Sequence, residues 1–65
     1  MSDERIYTTD EKISAIEREL RFRHRVYATK VAEGRMKPSA MEFQIGVFEA
    51  MLEDYRKIQG TERLL

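Results

Sequence analysis

Apolar side chains recur every three or four positions in two stretches, from Ile13 to Val31 and from Met41 to Tyr55. In the first, Ile13, Ile16, Leu20, Tyr27 and Val31 fall within about 40–60° of one another at 100° per residue, which is the stripe of an amphipathic helix. His24 falls inside the same stripe. Thr8 followed by Glu11 has the spacing of a capping box, in which hydroxyl and carboxylate each take one free backbone N–H. Thr9 is an equally good cap, and Asp10 and Glu11 put negative charge at the positive end of the helix dipole. With no Pro or Gly before Gly34, the pattern predicts a helix over about 9–33, roughly 37 Å long at 1.5 Å per residue.

Gly34 supplies the left-handed conformation that ends many helices. Pro38 suits the first position of a new helix, where its missing N–H costs nothing. Lys37, just before it, is a poor cap. A connection as short as Gly34–Lys37 makes the two helices antiparallel neighbours. The second helix is predicted over about 38–59, with Gly60 as its stop. Met41, Ile45, Phe48, Leu52 and Tyr55 form its main stripe. Residues 1–7 and 60–65 read as loosely ordered ends of one small domain, although Leu64 and Leu65 could fold back onto the helices.

Each helix carries more apolar surface than one seam can use. Ala40, Val47, Met51 and Ile58 widen the second stripe to roughly 160°, beyond the ~100° of an ordinary surface helix. Phe43, Gly46 and Ala50 lie opposite it, and Ala15, Phe22, Val26 and Thr29 lie opposite the first stripe. Chains this short usually need disulfides, metals or association to be stable. The fold class expected is therefore all-α, an antiparallel helical hairpin that self-associates. A symmetric dimer forming a four-helix bundle is its simplest closed form. Phe22, Val26 and Tyr27 of the first helix are the interface candidates there. Met41, Phe43, Val47, Phe48, Met51 and Tyr55 are those of the second. Phe22→Asp or Phe43→Asp is expected to disrupt assembly if those faces are interfaces.

Composition narrows the chemistry. Among 65 residues there is no Cys and one His, which removes disulfides and thiolate sites and leaves a metal or other cofactor unexpected. The absence of Cys fits a reducing cytosol. No apolar run approaches the ~18 residues of a membrane span, and MSDERIYTTD is too polar for a signal peptide. Ser14 and Ser39 have no neighbouring base pattern, and no phosphate loop or HExxH occurs. An enzyme is not expected.

Charge is neutral overall but unevenly placed. Residues 18–37 carry a local +5, offset by −3 before them and −2 after them. Arg18, Arg21 and Arg25 share one helical face over about 10 Å, and Arg35 and Lys37 add cations in the turn, so a nucleic-acid contact is one use of this surface. The plainer reading is a solvated face whose bases suit the helix dipole. Glu17–Arg21, Glu19–Arg23 and Glu53–Lys57 are i,i+4 pairs in the favourable order, and Glu17 and Glu19 would partly neutralise the stripe. Tyr27 and Tyr55 could stack on bases, but on apolar stripes they read first as seam residues.

The run Arg23-His24-Arg25-Val26-Tyr27, then Val31, Gly34-Arg35-Met36 and Ile45-Gly46-Val47-Phe48-Glu49-Ala50, resembles a group of small phage and prophage proteins. The likeness covers about residues 11–56. This chain has Ala28 and Lys30 where those proteins often carry Pro and Trp. The resemblance implies a phage-type accessory role and no particular activity or site. The expected function is thus binding without catalysis: of itself first, with nucleic acid or a host protein as further partners.

Overall fold

The computed structural model describes residues 6–64, so Met1–Arg5 and Leu65, which fall in the expected loose ends, lie outside the described residues. Among the described residues two helices, α1 (Thr9–Ala32) and α2 (Pro38–Leu64), form the whole architecture. They run antiparallel: Thr9 bonds Glu62, Glu17 bonds Arg56, and Arg23 bonds Gln44.

The start of α1 is the capping box. Thr8 Oγ1 accepts from the Glu11 N–H at 3.0 Å, and the Thr8 N–H donates to Glu11 Oε1 at 2.8 Å. Thr9 is the first helical residue instead, and its hydroxyl donates to Glu62 Oε2 at 3.1 Å. At the other end Gly34 adopts φ +72°. Its N–H donates to the Val31 carbonyl and that of Arg35 to the Lys30 carbonyl. This paired arrangement satisfies two carbonyls that α1 would otherwise leave free, and it needs a left-handed residue at position 34. Pro38 opens α2, and the Lys37 carbonyl accepts from the Ala40 and Met41 N–H groups. No side chain caps that end among the described residues.

Gly60 does not end α2, which continues to Leu64. Glycine inside a helix costs only about 1 kcal/mol relative to alanine, and links from α1 hold the extra turn in place. Gln59 Nε2 donates to Asp10 Oδ1 at 2.6 Å, and Thr9 donates to Glu62. Leu64 therefore projects from an ordered helix at 88% exposure and does not fold back.

Ile13, Ile16 and Leu20 of α1 meet Ile45 and Leu52 of α2, with Tyr27, Met41, Phe48 and Tyr55 packed around them. That is the entire core among the described residues, and no side chain in it is fully buried. Two helices lie side by side, and the molecule is 14 Å through its shortest dimension. It is a layer one helix deep with two broad, open sides. No helix of the described residues is long and apolar enough to cross a membrane.

Candidate functional site

Arg23 lies three residues after Leu20 and four before Tyr27, and so points along the seam. Its Nε donates to Glu19 Oε2 at 2.8 Å, and its Nη1 to the Gln44 carbonyl at 2.8 Å and Gln44 Oε1 at 3.2 Å. The guanidinium carbon sits 3.8 Å from the Phe48 ring centroid, and the side chain is only 15% exposed. Local spacing assigns Arg23 to Glu19 and gives it no partner on the second helix. Its place in the spacing of the apolar stripe was the signal of a role between the helices.

Arg23 marks one broad side of the hairpin. Val26 lies three residues beyond it, and Met51 three beyond Phe48, so both helices turn these apolar side chains to that side. Val26 is half-buried and Met51 is exposed. The opposite side carries charge. There Arg56 Nη2 donates to Glu17 Oε2 at 2.9 Å, and His24 Nε2 lies 3.9 Å from Glu49 Oε2. His24, expected within the apolar stripe, is in fact exposed. It lines an open groove of about 350 Å³ with Pro38, Met41, Glu42, Ile45 and Glu49. Among the described residues no three His, Cys, Asp or Glu side chains gather as a metal site would need.

The nine apolar interface candidates divide. Tyr27, Met41, Phe48 and Tyr55 pack on the core cluster, within the seam of a single chain. Lys12 lies over the Tyr55 ring and Lys30 over the Tyr27 ring, at 5.5 and 5.9 Å from the centroids. Phe22, Phe43, Val47 and Met51 remain exposed. Phe22 stands two residues after buried Leu20, and Phe43 two before buried Ile45. At 100° per residue each therefore points about 160° from the seam, on opposite outer edges of the hairpin. Ile58, seven residues after Met51, is exposed on the same α2 face as Met51.

The basic candidates divide as well. Arg18, Arg21 and Arg25 are all exposed. The expected Glu17–Arg21 pair does not form, because Glu17 reaches across to Arg56, while Glu19 holds Arg23. The Glu53–Lys57 pair is present but loose at 3.9 Å. Arg25 lies 5.9 Å from the Phe22 ring centroid. In the turn, Arg35 bonds Glu33 at 2.9 Å and Lys37 is exposed. The structure thus leaves two separate features exposed: apolar side chains on one broad side, and an arginine line on the outside of α1. Neither a protein-family model, nor a curated protein, nor a solved structure matches the chain.

Proposed function

We propose that the protein works without catalysis, as a self-associating helical hairpin of the phage accessory type whose chains pair into a four-helix bundle. One observation carries this reading. Among the described residues the hairpin buries five core residues, none of them fully, while Val47, Met51 and Ile58 stay 37–46% exposed on one face of α2. A layer one helix deep gains most by covering a broad side with another such layer.

The side bearing Val26, Met51 and Ile58 is the one favoured. A two-fold arrangement brings equivalent patches together, and pairing through the other side would gather Glu42, Glu49 and Glu53 of two chains. Like charges facing each other cost several kcal/mol. Two helices about 36 Å long, side by side over roughly 20 Å, offer about 700 Å² per chain, close to the ~800 Å² per partner of a stable interface. The resemblance of about residues 11–56 to small phage proteins is the basis for the accessory role.

Light scattering of the full chain at micromolar concentration is expected to give the mass of two chains. Met51→Asp, at a position already exposed, is expected to halve that mass with helical circular dichroism retained. A folded wild-type monomer would overturn the reading. A dimer untouched by Met51→Asp would overturn the choice of side.

A further inference from the structure

We propose that the outer face of α1 binds the phosphate backbone of duplex nucleic acid through Arg18, Arg21 and Arg25, independently of base sequence. The three arginines occur at i, i+3 and i+7, which places them within about 60° of arc and along about 10 Å of one helix. All three are exposed, and among the described residues none forms an ion pair.

Acids elsewhere on α1 leave them free. Glu17 and Glu19 are the only acids between Ser14 and Ala32. Both are taken by other arginines, Glu17 by Arg56 of α2 and Glu19 by Arg23 in the seam. In a chain of zero net charge, the balancing carboxylates of Glu42, Glu49 and Glu53 stand on α2. The outer face of α1 is therefore a positive strip with its counter-charges held at a distance. Thr29 and Ala28 follow Arg25 on the same flank, small enough to let a surface come close.

Duplex backbone fits this strip better than single-stranded bases do. Guanidinium groups pair with phosphate oxygens through two parallel N–H bonds. A helix ~10–12 Å across also matches the ~12 Å major groove. Stacking on single strands needs a row of free aromatic faces; Tyr27 and Tyr55 are packed into the seam, which leaves Phe22 beside Arg25 as one exposed ring on this strip. Tyr27 lies beneath Lys30 and Arg23, and Tyr55 beneath Lys12.

The test is fluorescence anisotropy of a short mixed-sequence DNA duplex titrated with the full chain at several salt concentrations. Three phosphate contacts give a log–log salt slope of about −3 per chain, a loss of roughly 40-fold in affinity from about 50 to about 200 mM salt. Arg18→Gln, Arg21→Gln and Arg25→Gln are each expected to reduce the slope by about 1, and the triple variant to abolish binding. Circular dichroism and solution mass should stay unchanged in all of them. No binding at ~50 mM salt, or wild-type binding by the triple variant, overturns the proposal. So does preferential binding of polyglutamate over duplex, or a triple variant whose solution mass changes, since the strip would then serve an acidic protein or a second chain. Met51→Asp separates this claim from the dimer, because a slope of about −3 per chain is expected to survive in the monomer.

Discussion

In the middle of the hairpin a single arginine crosses the seam on one broad side, while on the other two spaced contacts bridge it from exposed positions. Arg23 bonds Glu19 and Gln44 and lies flat on Phe48 at 15% exposure. Glu17–Arg56 and His24–Glu49 join the same two helices through groups that water also reaches. The residue types are alike and the spans similar. What differs is how much water the contact excludes, since a charged hydrogen bond gains strength as the surrounding dielectric falls. An exposed pair exchanges one solvated state for another and gains little. One side is thus fastened by packing with polar direction, and the other mainly oriented by charge.

Four substitutions, read as unfolding free energy in urea at fixed chain concentration, probe that contrast. Leu52→Ala removes the α2 anchor both sides share and should cost about 2–5 kcal/mol; a loss under about 1 kcal/mol would mean that the five-residue core does not hold the seam. Arg23→Ala is expected to cost about 1.5–3 kcal/mol, from lost charged hydrogen bonds and lost cover over Phe48. Arg23→Met, which keeps the stem, should recover part of this. If Arg23→Ala costs no more than a surface substitution, the two sides are equivalent after all. Arg56→Ala should cost at most about 0.5 kcal/mol, a difference that disappears in high salt. A larger loss would move Glu17–Arg56 into the class of Arg23.

The features legible in the sequence are those whose chemistry is local. Thr8 and Glu11 cap a helix from three residues apart, and Gly34 ends it through bonds to Val31 and Lys30. The apolar stripes needed only periodicity, and they named Ile13, Ile16, Leu20, Ile45 and Leu52 correctly. Gly60 was misread because glycine is a stop only when nothing carries the helix onward. Here Asp10 and Thr9 tie down Gln59 and Glu62 from about fifty residues away. The same limit hid the partner of Glu17, which local spacing assigned to Arg21 and the fold gave to Arg56. Arg18, Arg21 and Arg25 were visible as a line, yet their freedom from neighbouring acids depended on that distant choice.

The turn at Gly34 also sets the order in which the chain can close upon itself. Contacts across the seam widen steadily in separation along the chain, from 21 residues for Arg23–Gln44 to 39 for Glu17–Arg56 and 53 for Thr9–Glu62. Loop-closure entropy grows only as the logarithm of length, about 0.6 kcal/mol for each doubling. Each pair made near the turn shortens the remaining gap for the next. The hairpin is accordingly a zipper whose slider starts at Gly34, with low contact order and the fast folding that accompanies it. It opens in the reverse sense: the Thr9–Glu62 end, farthest from the turn, is the first to fray, while Arg23 latches the teeth nearest the closed end.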